Sequence, residues 1–289
     1  MQKSLDLSIK KHDIGTMDGA YGSYQSYMNE EMWGDFICDM KDNHPSAFVE
    51  YGAGSGGELT PKGKFPPKMA SYGSSSRMIY NLSKGVQDFY FEYKLPTAIG
   101  GTANIDGYLE RANKHIFIEA KCREPYGVKS HLIAEKYKEL YEYISNDVGN
   151  NLSIDFTVEK TKINVDFFVD GVPMCCFDIK QMICHLLGIA TKFLSYPTRK
   201  PVSFLYLCYN PTLIEIADED KKTKIISVYE RMCRECTAID FKSLFNTIVR
   251  FLHEEKRIGY ATVYDVDKLI SNFEFTLCDQ ENYISLLTK

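Results

Sequence analysis

The chain has 289 residues, of which 44% are hydrophobic and 25% are charged, and its formal net charge is -5. This length and hydrophobic content allow a sizeable buried core, arranged as one large domain or as a core with a smaller addition. The acidic balance excludes a surface that is strongly basic throughout, but it still allows a local basic rim around an acidic cleft.

The start of the chain, Met1–Asp6, carries no apolar run, and no stretch resembles a membrane span, so we expect neither a secretory signal nor a membrane anchor. The nine cysteines are scattered and odd in number. Several, such as Cys184 and Cys208, lie in apolar stretches where a thiol acts as a small hydrophobic group. This usage is typical of a reducing compartment, and we predict a cytoplasmic protein.

The sequence pattern divides the chain into three parts. Residues 1–70 are predicted to form an irregular, glycine-rich segment packed on the core. Residues 71–211 are predicted to form the core itself, with an insertion near 146–177. Residues 212–289 are predicted to be mostly helical and part of the same domain.

The predicted elements follow from apolar periodicity, serine caps and glycine or proline breaks. In chain order they are a helix at 74–82, strands at 89–93, 104–110 and 115–122, a helix at 129–145, a hairpin within 153–169, an apolar helix at 178–194, a strand at 202–209 and a helix at 240–255. The continuous apolar run of the last strand suits a strand covered on both faces. The order predicts an α/β core, with a mixed sheet flanked by helices.

Two acids and a lysine stand out in the second and third strands. Symmetric pairing about a turn at 112–113 places Asp106 opposite Glu119, with their side chains on one face of the hairpin. Strand alternation puts Lys121 on that face as well. The alternate residues of the third strand face the other way, into a core: Ile116, Ile118 and Ala120.

Opposed carboxylates repel each other unless a positive charge compensates them. Oxygen ligands suit Mg²⁺ or Mn²⁺, and Mg²⁺ usually takes one or two carboxylates together with phosphate and water. A neighbouring lysine orients the attacking water or stabilises charge on the phosphate, so the set suits phosphodiester hydrolysis. The alternative is a partly exposed hairpin with solvated or paired charges. Against it, Glu119-Ala120-Lys121 ends an apolar strand, where burying a charged side chain is costly and usually indicates a specific role.

These residues resemble the PD-(D/E)XK nuclease signature, with Asp106 as its first acid and Glu119-Ala120-Lys121 as its E-x-K. The order of elements resembles the core of the same superfamily. The proline of the signature is absent because Asn104-Ile105 precedes Asp106, but this position varies in the superfamily. Further pieces between about 50 and 211 resemble a group of restriction-endonuclease-like proteins: Gly56-Gly57-Glu58-Leu59, Ser74-Ser75-Ser76 with Asn81, 91–97, 100–102 and 201–211.

The resemblance implies a restriction-endonuclease-like core in which Asp106 and Glu119 hold Mg²⁺ (or Mn²⁺) and Lys121 assists catalysis. It implies an endonuclease that cuts DNA, most simply double-stranded DNA and as a restriction enzyme. A homodimer is expected because many enzymes that cut both strands pair up. Two alternatives stay open: a non-catalytic DNA-binding or interaction protein with the same fold, and a nuclease acting on RNA, single strands or branched DNA.

Three further polar residues are candidate accessories to the site. Glu92 would be a further catalytic acid that holds a metal-bound water, or it would merely pair with Lys94. Glu58, after a glycine run, has the same potential role, or is a loop carboxylate. Gln181 begins the apolar helix and would lie near the site, or would be an ordinary polar residue of a first helical turn.

Other polar groups fit simpler interpretations. His185 is predicted to be a core histidine satisfied by a neighbour. The pair Cys233 and Cys236 lacks a second pair at zinc-site spacing, and Gly52–Gly57 lacks the ending of a phosphate-binding P-loop. Three basic residues after the third strand either contact phosphates or lie in a solvated loop: Arg123, Lys129 and His131.

Overall fold

The structure is a computed structural model that describes residues 28–53, 57–61, 66–71, 73–122, 132–159, 162–213, 219–256 and 261–288. Its helices are α1 (Glu30–Asn43), α2 (Pro45–Gly52), α3 (Ser75–Ser83), α4 (Lys138–Asn146), α5 (Ile179–Ser195), α6 (Glu219–Ala238), α7 (Phe241–Arg250), α8 (Val263–Ser271) and α9 (Tyr283–Thr288). Its strands are β1 (Phe89–Pro96), β2 (Thr102–Glu110), β3 (His115–Lys121), β4 (Leu132–Ile133), β5 (Leu152–Glu159), β6 (Lys162–Val169), β7 (Val172–Pro173), β8 (Val202–Cys208) and β9 (Phe273–Cys278).

The central sheet has five strands in the order β1-β2-β3-β8-β9. The first three strands form an antiparallel meander, whereas β8 runs parallel to β3 and β9 runs parallel to β8. The sheet is therefore mixed, and the predicted order of helix, three strands, helix and strand is confirmed by α3, β1 to β3, α5 and β8. The chain has an α/β architecture, as predicted.

Two hydrophobic clusters cover the two faces of this sheet. The α5 face carries Phe117 and Phe204, and the α3 face carries Ile116 and Leu205. Every residue of β3 and β8 is buried, because helices cover both faces of these central strands. The faces separate the side chains of β3 as predicted, with Ile116, Ile118 and Ala120 turned toward the α3 face.

A second, smaller sheet is formed by β4, which precedes α4 in the chain, and by β5, β6 and β7, which lie between α4 and α5. Its order is β4-β6-β5, and β7 pairs with β6. The antiparallel pairing of β5 with β6 confirms the hairpin predicted within 153–169. Ile154, Val165 and Phe167 join the cluster on the α5 face, so this insertion extends the core.

Helix α5 approaches the central sheet very closely at Gly188. A Cβ atom at this position would lie 2.8 Å from Cβ of Leu95 and 3.1 Å from Cβ of Ala103. A larger residue would force the helix away from β1 and β2. The glycine therefore allows the close packing that brings the first turns of α5 over the end of β3.

The predicted irregular segment is wrong for residues 30–52, which form α1 and α2. The side chain of Asn29 accepts from the amide of Met32, and Pro45 opens α2, so local capping supports both helices. The helix predicted at 129–145 begins only at Lys138, after a short strand at Leu132–Ile133 that pairs with β6. Residues 123–131 lie outside the described part of the chain.

The C-terminal part is mostly helical, as predicted, but it also supplies β9. This strand of six residues pairs with β8, which ends about 65 residues earlier in the chain, so its partner is not evident from the local pattern. The prediction of a mostly helical part therefore missed an edge strand of the central sheet. Within the described ranges, no helix is both long enough and apolar enough to cross a membrane.

Candidate active site

The β2–β3 hairpin has the register predicted from the sequence. The amide of Arg111 donates to the carbonyl of Lys114 at 2.9 Å, so the chain turns at 112–113. The pairs that follow include Leu109 with Ile116 and Gly107 with Ile118. One further step along this register would set Asp106 beside Glu119.

The regular ladder ends before that step. The amide of Ala120 donates to Oδ2 of Asp106 at 2.8 Å, whereas a continued antiparallel ladder would direct it to the main chain of β2. The carboxylate of Asp106 therefore lies in the gap between the strands. This corrects the prediction that the two carboxylates stand side by side on one face. Strand β2 leaves β3 here but stays paired with β1 through Ile105 and Tyr93.

A change of face in β1 and β2 explains this divergence. Glu92 has a left-handed backbone conformation, with φ of 49°, which is rare for a residue other than glycine. Phe91 before it packs on the α3 face, whereas Tyr93 after it packs on the α5 face. In β2, Gly107 points to the α3 face, where a Cβ would come within 2.9 Å of Cδ1 of Ile79, whereas Ile105 packs on the α5 face. Strained backbone of this kind is common at functional sites.

Glu119 and Lys121 form a buried ion pair on the α5 face. Their side chains are almost inaccessible, and Nζ of Lys121 lies 2.5 Å from Oε1 of Glu119. The same ammonium group donates to Oε1 of Gln181 at 2.7 Å. Gln181 lies in the first turn of α5, which Asp178 caps by accepting from the amide of Gln181. The helix thus fixes the lysine that the sequence placed next to the acids.

His185 lies one turn further along α5 and contacts the other oxygen of Glu119. Its Nε2 is 2.9 Å from Oε2 of Glu119, but neither atom makes a well-aligned hydrogen bond. The imidazole is buried and stacks on Phe204, with ring centroids 6.2 Å apart. The prediction of a core histidine satisfied by a neighbour is confirmed in its burial, but neither ring nitrogen makes a hydrogen bond within the described residues, so the satisfied part of the prediction is wrong.

The acids of the site differ in their pKa values. Burial alone would raise the pKa of Glu119, but Lys121 and His185 outweigh it and lower this pKa to about 2. Burial and the charge of Glu119 raise the pKa of Asp106 well above its usual range. Burial, Glu58 and Glu119 raise the pKa of Glu92 to about 7. Without a further cation, the site therefore holds protons on β1 and β2.

Glu58 joins the same group from the segment before α3. It is only 4% exposed, and its Oε1 lies 3.2 Å from Nζ of the exposed Lys68, whereas its Oε2 has no hydrogen-bond partner. Its charge raises the pKa of Glu92. Lys94 lowers that pKa, but its ammonium group donates to the carbonyl of Ala53 at 3.3 Å. We call Glu58, Glu92, Asp106 and Glu119 the acid cluster.

The carboxylate oxygens of the acid cluster are the type of ligand that a divalent cation such as Mg²⁺ prefers. Among the described residues, Lys121 forms an ion pair with Glu119 and the exposed Lys68 forms one with Glu58, whereas Glu92 and Asp106 form none. No group of three or more His, Cys, Asp or Glu side chains is already arranged as a metal site in the part of the chain that the structure describes. Mg²⁺ commonly uses only one or two carboxylates and completes its shell with water and phosphate. Asp106 and Glu119 can supply that pair.

All six site residues proposed from the sequence meet in this region: Asp106, Glu119, Lys121, Glu92, Glu58 and Gln181. Arg123, Lys129 and His131 lie outside the described residues. Sequence reasoning missed the contacts of His185 with Glu119 and of Lys68 with Glu58. The spacing of four residues between Gln181 and His185, which puts both on one helix face, was the available signal for the first of these.

Comparison of the chain with protein-family models, with curated proteins and with solved structures gives no significant match. The acid cluster and its basic partners are therefore the features of this chain from which a function can be inferred.

Proposed function

We propose that this chain is a metal-dependent endonuclease that hydrolyses phosphodiester bonds in DNA, built on a restriction-endonuclease-like core of the PD-(D/E)XK type. The observation that carries the proposal is the position of Lys121. This buried lysine is held by Glu119 and Gln181, next to the strand gap that contains Asp106. A buried lysine among buried acids costs free energy, and phosphate chemistry gives such an arrangement a use.

Each residue has a role in the proposed reaction. Asp106 and Glu119 would hold Mg²⁺ or Mn²⁺, which supplies charge neutralisation and an acidified water when bound. Lys121 places a fixed positive charge where the phosphate gains negative charge. Glu92, with a pKa of about 7, can accept a proton from water near neutral pH. Gln181 keeps the lysine in position.

The alternative is a non-catalytic protein that binds DNA or another partner. One observation favours it: Lys121 and His185 already contact both carboxylate oxygens of Glu119. A closed network of this kind is able to act as a structural element alone. The two proposals differ in what a cation does, because only the nuclease requires Glu119 and Asp106 to bind one.

A cleavage assay separates the two proposals. The purified chain is incubated with supercoiled plasmid, linear duplex, single-stranded and branched DNA, and RNA, each with Mg²⁺, Mn²⁺, Ca²⁺ or a chelator. We expect cleavage of duplex DNA with Mg²⁺ or Mn²⁺, little with Ca²⁺ and none with the chelator. Light scattering on the same samples tests for the expected homodimer.

Matched variants connect the activity to the site. Lys121→Ala and Glu119→Gln should abolish most cleavage. Lys138 and Glu142 form an exposed lysine–glutamate pair on α4, so Lys138→Ala and Glu142→Gln are the controls and should cleave like the wild type. Tight DNA binding without cleavage under every metal would support the non-catalytic alternative. Cleavage confined to RNA or branched DNA would retain the chemistry and change the substrate.

A further inference from the structure

A group of tyrosines lies beside the acid cluster on β1 and β2. The rings of Tyr93 and Tyr108 stack with centroids 4.4 Å apart, and Tyr90 lies 6.2 Å from Tyr93 and 6.0 Å from Tyr108. Nζ of Lys192, from α5, lies 5.5 Å from the centroid of Tyr93 and 5.6 Å from that of Tyr108. We call these four residues the tyrosine platform.

The inner part of the tyrosine platform is held firmly. Lys192 donates to the hydroxyl of Tyr93 at 3.0 Å. The hydroxyl of Tyr108 donates to Glu110 at 3.2 Å and lies 2.9 Å from Nδ1 of His115. These contacts fix the rings of Tyr93 and Tyr108. The inner part of the platform therefore loses little conformational freedom when a ligand binds.

The outer ring belongs to Tyr90, which is 47% exposed on an edge strand of the sheet. Tyr90 precedes Glu92 of the acid cluster by two residues on β1. Lys200 pairs with Glu110 at 2.7 Å, whereas the ammonium group of Lys192 lies over the rings of Tyr93 and Tyr108, so the platform includes a cation. Tyr90 contacts the two rings over which Lys192 lies, so an exposed aromatic ring and an ammonium group belong to one aromatic cluster, which matches a nucleobase joined to a phosphate.

We propose that the tyrosine platform binds an unpaired nucleobase of a single-stranded DNA segment, with Tyr90 stacking on the base and Lys192 near its phosphate. The inference rests on the proposed function in taking DNA as the ligand, and it adds a substrate feature that the acid cluster alone does not specify. Duplex DNA hides its base faces, so it would gain only the charge of Lys192. The platform should therefore favour single-stranded DNA or a frayed end.

Fluorescence anisotropy with labelled oligonucleotides tests this in a chelator, so that binding is measured without cleavage. Stacking of one base on an aromatic ring contributes about 1–3 kcal/mol, so Tyr90→Ala should weaken single-strand binding by roughly 5-fold to 100-fold. Tyr90→Phe keeps the ring and should bind like the wild type. Tyr264 is a comparably exposed tyrosine on α8, and Tyr264→Ala is the matched control.

The outcomes separate this inference from the proposed function. Unchanged single-strand affinity in Tyr90→Ala overturns the platform, and so does an equal loss for single-stranded and duplex DNA. A wild type that fails to bind single strands also overturns it, even if that wild type cleaves duplex DNA with Mg²⁺. Selective loss of single-strand binding supports the platform, even if no metal supports cleavage.

Discussion

The two halves of the acid cluster hold their carboxylates in opposite ways. On β3, Glu119 is 1% exposed, yet Lys121 and His185 lower its pKa to about 2. On β1 and β2, Glu92 and Asp106 are less buried, but their pKa values are raised. The nearest cation, more than the degree of burial, therefore decides which carboxylate stays ionised here.

This difference has a consequence for cation binding. The β3 half is already ionised, whereas the β1–β2 half must release protons before it can hold a cation. Binding of Mg²⁺ should therefore release protons and become tighter as the pH rises, because ligand carboxylates must be deprotonated. Substitutions of Lys121, Asp106, Glu92 and His185 each remove one group that creates the difference between the ionised half and the protonated half.

Removing Lys121 should give the largest effect. The loss of one fixed electrostatic group of this kind typically costs about 10²–10³ in rate, and Lys121→Ala should lose that much cleavage. The variant should also melt at a lower temperature, because buried Glu119 loses its ion-pair partner at a cost on the order of 3 kcal/mol. Measurements of rate and melting are compared with those of Lys138→Ala.

Lys121→Arg sharpens this test. Arginine keeps the charge but not the compact ammonium group that fits between Glu119 and Gln181. It should restore part of the melting temperature and little of the rate. Full activity in Lys121→Ala would mean that the lysine is only a structural partner of Glu119.

Replacing Asp106 changes the β1–β2 half of the acid cluster, which holds protons in the absence of a cation. Asp106→Asn retains an oxygen that can accept from the amide of Ala120, but it cannot release a proton to become an anionic ligand when a cation binds. We expect affinity for Mn²⁺ to fall at least about tenfold, which corresponds to roughly 1.4 kcal/mol, in calorimetry. The metal-free variant should melt slightly above the wild type, because the raised pKa of Asp106 makes the wild type take up a proton on folding at neutral pH, and asparagine does not.

Asp155→Asn is the control for this substitution, since Asp155 is exposed on β5 in the smaller sheet. It should leave both metal affinity and melting unchanged. Equal metal affinity in Asp106→Asn and the wild type would exclude Asp106 as a ligand.

The sequence predicted the site better where the strand pattern was regular. The turn at 112–113 and simple alternation were sufficient to place Lys121 beside Glu119 and to turn Ile118 to the opposite face. The position of the Asp106 carboxylate could not be predicted in this way. It depends on the left-handed backbone of Glu92, and glutamate carries no local signal for that conformation, unlike glycine.

In the fold as well, elements with a strong local sequence pattern were predicted, whereas contacts between residues distant in the chain were not. Helix α5 was predicted almost to the residue, because its apolar pattern is long and its cap at Asp178 is local. Strand β9 was missed because its pairing with β8 depends on residues far away in the chain. The contact of His185 with Glu119 needed the packing of α5 on the sheet, which Gly188 makes possible.

Glu92 allows a test of the proton-holding half through pH. Its folded pKa of about 7 lies above its usual value of 4.5, so its contribution to stability is complete below about pH 4.5 and is lost as the pH rises through 7. The metal-free wild type should therefore lose stability between pH 5 and pH 8, by about 1 kcal/mol after allowance for partial exposure. Glu92→Gln should show a flatter dependence of melting temperature on pH.

Mg²⁺ provides the control for that pH effect. If the cation binds the acid cluster, it should reduce the destabilisation of the wild type at pH 8, because a bound ligand stabilises the folded state. Parallel melting curves for the wild type and Glu92→Gln at every pH would contradict the raised pKa and remove the contrast between the two halves.

His185 should give the smallest effect, because Lys121 remains bound to Glu119 when the imidazole is removed. A contact of this kind contributes about 1 kcal/mol, so His185→Leu should reduce the cleavage rate by roughly fivefold. His185→Gln retains an N–H donor of similar reach and should recover part of that loss. If the imidazole only fills space, leucine should match the wild type in rate and exceed glutamine in melting temperature. If it positions Glu119, the glutamine variant should cleave faster than the leucine variant, and the change should be in kcat and not in KM.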